Sequence, residues 1–383
     1  MRVKGPEYDL LRESWEYLVA IGPRCMGTEG EKQAVRYLLA QLQDLGAAPV
    51  TQAFPYEGWS VSADASLHMT VPFVKEIESY LLLGSGQPVG AFVEGKVCVL
   101  GETIIWNMYS WPRFGIIDQH NTIVGYITGR PTGAAISQTL AEGNSRYPHF
   151  SIGAEDTELL LALLKQGKEI HVRGTCATQA TGLQEGVNIR VPSRNVPVAE
   201  KKIVLCAHYD TMYNTKGAYD NTSGVAVLLS LLKILQDRQW RKPIEIIFMA
   251  GEEWRLAGSS AHVKALTPQE IAEIELVINV DGIGRGNVFE AWLGPEEVEH
   301  EMYRFFAQRT ADASRTFAVK TPPPPGSDHT PFYDAGVPAC MFTINDQDII
   351  HSPRDVIDER IYENMVYCVQ LLVALLEYKR AIL

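Results

Sequence analysis

The chain has 383 residues, 46% of them hydrophobic and 21% charged, proportions that belong to a folded globular protein and exclude a disordered or collagen-like chain. Asp and Glu total 46 against 34 Lys and Arg, a formal net charge of -12. A nucleic-acid binder normally carries a basic surplus, so that class is excluded, whereas an acidic surplus suits solubility and the holding of divalent cations.

At about 150 residues per domain the length implies roughly two domains. No stretch reaches the ~18 apolar residues of a membrane span. The start, Met1-Arg2-Val3-Lys4-Gly5-Pro6-Glu7, has no apolar segment of the secretory type. The six cysteines, Cys25, Cys98, Cys176, Cys206, Cys340 and Cys368, form no Cys-x-x-Cys pair. They read as reduced thiols, and a cytoplasmic setting with no membrane partner is the expectation.

In chain order, Leu10 to Val19 is helical in pattern. Thr28-x-x-Glu31 has the form of a capping box. The apolar stripe Ala34, Val35, Leu38, Leu39, Leu42 and Leu45 predicts a helix that Gly46 ends. From about 58 to 182 the pattern changes to short extended runs: 96–100, 122–127, 149–152 and 169–172, with one helix expected over 155–166. This reads as a small β-rich module. Few His, Cys or acidic residues pair up at ligand spacing there, so no chemistry is assigned to it.

From Lys202 the rhythm is strand, loop, helix. Continuous apolar runs at 203–207, 244–250, 275–280 and 338–343 predict buried strands. The helix after Gly224 is apolar on nearly every side, as a buried helix is. A final helix is expected from Asp358 to Lys379. The fold class is therefore α/β: a mixed, mostly parallel central sheet with helices on both faces, plus a small β-rich inserted domain. The catalytic domain is expected to be discontinuous, 1–57 and 183–383, around an insert at 58–182. Pro322-Pro323-Pro324-Pro325 reads as a stiff surface connector.

In open α/β sheets ligands bind at the carboxyl ends of strands. Here those ends run into His208-Tyr209-Asp210, Gly251-Glu252-Glu253, Asp281-Gly282 and, after a loop, His351-Ser352-Pro353-Arg354-Asp355, with Asp220 in the segment before the buried helix. Singly, each has a plain reading: a His–Asp hydrogen bond, a helix first turn, an N-cap. Together they set carboxylates and imidazoles along one sheet edge, where the carboxylates repel one another unless cations hold them. Two neighbouring divalent cations lower the pKa of a shared water, and a nearby carboxylate that binds no metal can take its proton. Adjacent glutamates suit that division.

These segments, together with Gly217-Ala218-Tyr219-Asp220-Asn221-Thr222-Ser223-Gly224, Ser327-Asp328-His329-Thr330-Pro331-Phe332 and Arg24-x-x-Gly27-Thr28-x-Gly30, resemble the M28 family of dizinc aminopeptidases. The stretch around Gly95-Lys96-Val97 and Tyr147-Pro148-x-Phe150-Ser151-Ile152 is similar to the protease-associated (PA) domain inserted in such enzymes. The resemblance implies that His208 and Asp281 hold one metal, Glu253 and His351 the other, and Asp220 bridges both. Glu252 would be the general base acting on a hydroxide-forming water between the metals, and Asp210 would orient His208. It implies two divalent ions, zinc first with cobalt or manganese as alternatives, and peptides or aminoacyl amides as substrates, cleaved at the N-terminus by an exopeptidase.

Two departures stand out. The family often has Tyr before the last metal-binding His, where this chain has Ile350; oxyanion binding then falls to a metal, His329 or Tyr333. Trp254-Arg255 follows the glutamate pair in place of a small apolar residue, either packing or shaping a pocket. Three alternatives stay open: a glutaminyl cyclase-like enzyme with one zinc, a hydrolase of a small modified amide, and a non-catalytic relative.

Overall fold

The computed structural model describes residues 5–383 other than 107, 141–142, 194–195, 197–200 and 308–314. The chain opens with α1 (Pro6–Ile21), which buries Leu11, Trp15 and Leu18, and α2 (Glu29–Asp44), which buries Ala34, Leu38 and Leu42. Thr28 caps α2 by accepting from the Glu31 amide at 3.3 Å. The Glu31 carboxylate returns to the amide of Gly27 at 2.6 Å, not to that of Thr28, so the expected capping box closes one residue early.

Then come β1 (Val50–Val71), β2 (Lys75–Ile77), β3 (Ser79–Leu81), β4 (Val93–Ile105), β5 (Tyr109–Ile117), β6 (Ile123–Gly129), β7 (His149–Ile152), α3 (Ala154–Lys165) and β8 (His171–Val191). The second half runs β9 (Lys202–His208), α4 (Thr222–Gln236), β10 (Ile244–Met249), α5 (Ala257–Ala265), α6 (Pro268–Ala272), β11 (Ile274–Ile283), β12 (Val288–Gly294), α7 (Glu296–Ala307), β13 (Thr316–Lys320), α8 (His329–Asp334), β14 (Ala339–Ile344) and α9 (Glu359–Tyr378).

One sheet runs through the molecule in the order β13-β12-β14-β11-β9-β10-β8-β4-β5-β6-β7-β3, with β1 paired along β8. Its centre is parallel: β9 lies between β10 and β11, and β11 pairs with β14. Antiparallel β12 and β8 border this block. Successive residues of a strand face opposite sides. Accordingly Leu205, Phe248 and Ile278 pack with α1, α4 and α9 in the main core, while Cys206, Ile247 and Val277 pack with Val263 of α5 and Phe332 of α8. Helices therefore cover both faces, and α4 is buried on all sides of its first three turns.

Long antiparallel β1 and β8 pair from Val50↔Arg190 to Val71↔His171, forming a ribbon from the α/β body into the module. The run expected at 169–172 is only the start of β8; beyond it, residues 179–185 are exposed and, apart from Leu183, polar or small, so they carry no burial signal. Gly58 pairs with Gly182 across this ribbon, the register shifts immediately after, and Gly182 has φ +74°, open to glycine without strain. The module has its own core, including Leu67, Phe114, Ile127, Phe150 and Leu160. The six cysteines are all free thiols. Among the described residues no helix is long and apolar enough to cross a membrane.

Candidate metal centre

The register places the strand ends side by side. His208 pairs with Met249, so the end of β9 and the Gly251-Glu252-Glu253 turn leave the sheet at one edge, and Asp281 lies two residues beyond the Asn279↔Cys206 pair. Each segment is tied down by the residues beneath it. The indole of Trp15 in α1 donates to the carbonyl of Ala218 at 2.7 Å. Tyr219 and Asp220 donate their amides to the two oxygens of Asp355 at 2.6 and 3.0 Å. Asn221, not Asp220, caps α4: its carbonyl oxygen accepts from Gly224 at 3.0 Å and Gly282 at 3.1 Å, and its amide donates to Val280 at 2.9 Å. That leaves the Asp220 carboxylate free to face the site. Ser327 donates to Asp281 and accepts from Asn279 at 2.6 Å.

The expected residues converge. His208 Nε2 lies 3.2 Å from Asp220 Oδ1 and 3.2 Å from Asp281 Oδ1. His351 Nε2 lies 3.0 Å from Asp220 Oδ2 and 3.1 Å from Glu253 Oε2. Asp220 thus turns one oxygen to each imidazole. Glu252 Oε2 stands off at 3.9 Å from His208 Nε2. Two donor trios, His208–Glu252–Asp281 and Asp220–Glu253–His351, each gather within 4.8 Å.

The donor set fits divalent cations. His208 Nδ1 is 3.1 Å from the carbonyl of Asp210, and His351 Nδ1 is 3.2 Å from the carbonyl of Ser137. A carbonyl only accepts, so Nδ1 is protonated in each ring and Nε2 is the nitrogen turned into the site, the one that would bind a metal on giving up its proton. The Asp210 carboxylate lies 3.5 Å from His208 Nδ1 and accepts the amides of Glu252 and Glu253 at 3.2 and 3.3 Å, bracing both segments. Among the described residues the ion-pair partners of these four carboxylates, three of them buried, are the two imidazoles. Burial opposes the charged form of His351, but Glu253 and Asp220 outweigh it and push the ring up to about 10. Burial, with repulsion from Asp281 and Glu253, pushes Glu252 well above the ordinary carboxylate range. A cluster that must recruit protons to offset its negative charge is one that cations would stabilise.

A cavity of about 610 Å³ opens over the cluster. The module, to which no chemistry had been assigned, forms one side of it through Ile104, Trp106, Tyr109 and Gln138. Pro325 lines it too, so the end of the proline run faces the cavity and is no plain surface connector. Ile350 is also in the lining, whereas Tyr333 is not. His329 is turned away, its Nε2 2.9 Å from the carbonyl of Pro324. Trp254 is buried edge-on to Tyr56, while Arg255 lines the cavity and donates to the carbonyl of Leu140 at 2.6 Å. Arg24, buried, donates to the carbonyls of Leu18, Tyr209 and Lys216 and to the Thr222 hydroxyl, locking the two loops that carry Asp210 and Asp220.

Residues 188–376 match Peptidase family M28. That stretch is a peptidase family M28 domain. It contains every residue of the cluster, and the protein is accordingly a peptide hydrolase. The chain is 25% identical over 365 residues to aminopeptidase YwaD of Bacillus subtilis, covering 88% of this chain and 77% of that one. Its fold superposes on BSAP, a zinc aminopeptidase from Bacillus subtilis, with TM-score 0.71 at 20% identity, covering 98% and 96% of the two chains. A more distant likeness, TM-score 0.52 at 14% identity over 97% and 98% of the chains, is to a glutaminyl cyclase of Bacteroides thetaiotaomicron.

Proposed function

We propose that this M28 domain is an aminopeptidase that holds two divalent cations, zinc before cobalt or manganese. His208 and Asp281 would hold one, Glu253 and His351 the other, and Asp220 would bridge them. The observation that carries the reading is Asp220 itself, with one carboxylate oxygen at each imidazole. When bound, the two cations supply Lewis acidity toward the scissile carbonyl and lower the pKa of a water between them.

The chain does the rest. Glu252, beside the cluster but farther from the imidazole than the ligand carboxylates, takes the proton of the attacking water and passes it to the departing amine as the carbonyl carbon gains an oxygen and loses its nitrogen. Asp210 orients His208 and fixes the backbone of Glu252 and Glu253. The acidic edge attracts the substrate's free ammonium group, which an internal peptide bond does not offer, so the enzyme is an exopeptidase acting on peptides or aminoacyl amides. Residues 1–57 and 183–383 form the catalytic domain, and 58–182 form a PA-like insert. Six free thiols favour a reducing, cytoplasmic setting.

A single-zinc cyclase shares the fold, but one cation would fill only one of the two donor trios. Elemental analysis with a panel of substrates separates the two. The expected result is two metal equivalents, loss of activity with a chelator, recovery with added zinc, and release of N-terminal residues. One equivalent, with pyroglutamate formed from N-terminal Gln peptides, would overturn it.

A further inference from the structure

The two halves of the cluster are braced from different parts of the molecule. Around His208 and Asp281 every described support comes from the α/β body: Asp210, Asn279 and Ser327. Around His351 the supports come largely from the insert, and Glu253 is held from both parts: Met212 of the body donates its amide to the carboxylate at 3.2 Å, Asp210 accepts the Glu253 amide at 3.3 Å, and the insert reaches its carbonyl. Ser137 binds His351 twice: its amide donates to the His351 carbonyl at 2.9 Å and its carbonyl faces Nδ1 at 3.2 Å. The Gln138 side-chain amide packs against the same Nδ1 at 3.3 Å, a contact that bounds the ring and not a hydrogen bond, since its –NH2 and the protonated Nδ1 are both donors. The Thr139 hydroxyl donates to the carbonyl of Glu253. The Trp106 indole meets the His351 ring edge-on, centroids 5.7 Å apart at 74°.

His351 needs this support. Its φ is +50°, a left-handed conformation that a side chain bearing a β-carbon adopts only when its surroundings hold it there. Its carbonyl is held between the Ser137 amide and the Asn214 side chain, at 3.1 Å from the latter. The flanks of its loop are gripped by the insert as well: Arg130 donates to the Gln347 carbonyl at 3.3 Å, and Arg354 donates to that of Ala135 at 2.7 Å.

We propose that the Ser137–Thr139 segment and Trp106 of the insert are positioning residues for the Glu253–His351 metal site alone, so that one of the two cations depends on the docking of the inserted module and the other does not. This rests on the two-cation reading above. It gives the module a role beyond walling the cavity: a module lifted away would release His351 from its tautomer and its strained backbone, while His208 and Asp281 stayed in place.

The test uses metal-free full-length protein titrated with Zn²⁺ against a chromophoric chelator, with Co²⁺ absorption spectra as a second readout. The variant Gln138→Ala/Thr139→Val should weaken one equivalent ~10–100-fold and leave the other at the wild-type value. The weakened equivalent should be the one that His351→Ala abolishes. Ser327→Ala should weaken the other. Trp106→Leu, which removes only the ring edge, should weaken the same equivalent as the double variant, and it carries the test if that variant does not fold. Unchanged binding of both equivalents in the insert variants would overturn the inference, as would an equal loss of both. Fewer than two equivalents in the wild type would instead overturn the two-cation reading.

Discussion

In the α/β body the central strands are six to ten residues long, parallel and buried on both faces, and their carboxyl ends deliver His208, Glu252, Glu253 and Asp281 to one edge. In the insert the strands are antiparallel except for the β6–β7 pair, and those of the β1–β8 ribbon run to 22 and 21 residues with exposed stretches. Its contribution to the site comes chiefly from backbone groups and a hairpin tip. The body supplies charged donors, and the insert supplies orientation. A donor is an unusual side chain in a telling place, whereas an orienting carbonyl can belong to any residue.

The sharpest way to break this comparison is at the proton-carrying group. Glu252→Gln keeps the shape of the side chain and removes its basicity. It should lower kcat by ~10²–10⁴-fold with both metal equivalents retained. A variant of near wild-type activity would remove Glu252 from the role of base. Loss of a metal equivalent would make it a ligand, which its place within the His208–Asp281 trio also permits geometrically.

The same contrast governs what could be read from the sequence. Apolar runs such as 203–207 and 244–250 gave the body's strands nearly residue for residue, because a strand buried on both faces has no polar alternation to dilute it. The chemistry-bearing residues stood out because carboxylates and imidazoles directly follow those runs. β12 and β13 were not anticipated; Val288–Gly294 and Thr316–Lys320 are short and begin in exposed residues. The insert's part in the site was illegible, since Ser137 acts through its amide and carbonyl and Trp106 reaches His351 across 245 positions of sequence (351 − 106). Arg24 was visible only as a motif residue. Its contacts with Leu18, Tyr209, Lys216 and Thr222 exist only in the fold.

Stability measurements sharpen the comparison next. Arg24→Met leaves several buried carbonyls without donors, each costing ~1–3 kcal/mol, so a loss of about 3–5 kcal/mol is expected. The damage should reach both metal equivalents, because both the Asp210 and the Asp220 loops lose their lock. Phe150→Ala empties the middle of the module's core at a similar cost of ~3–5 kcal/mol. Its effect on metal binding should fall on one equivalent only. Urea unfolding followed together with zinc release distinguishes the two patterns, and equal metal loss in both variants would mean that body and module respond as one unit.

Titration should separate the regions more gently, and in opposite directions. Burial raises the Glu31 carboxyl in the body to about 7, against the bond from the Gly27 amide. Burial, with the nearby Arg113, lowers the His149 imidazole in the module to about 3. Between pH 4.5 and 7 the folded body keeps a proton on Glu31 that the unfolded chain has released, so Glu31 costs stability as the pH rises. Between pH 6.5 and 3 the unfolded chain binds a proton at His149 that the folded module refuses, so His149 costs stability as the pH falls. Each slope is at most about 1.4 kcal/mol per pH unit. Relative to wild type, Glu31→Gln should therefore gain most near pH 8, and the gain of His149→Phe should grow as the pH falls from 6.5 toward 3. Hydrogen exchange should place the first gain in α2 and the strands it covers, and the second in β5, β6 and β7. Gains at the same pH in both variants would show that these two buried groups do not titrate as their surroundings dictate.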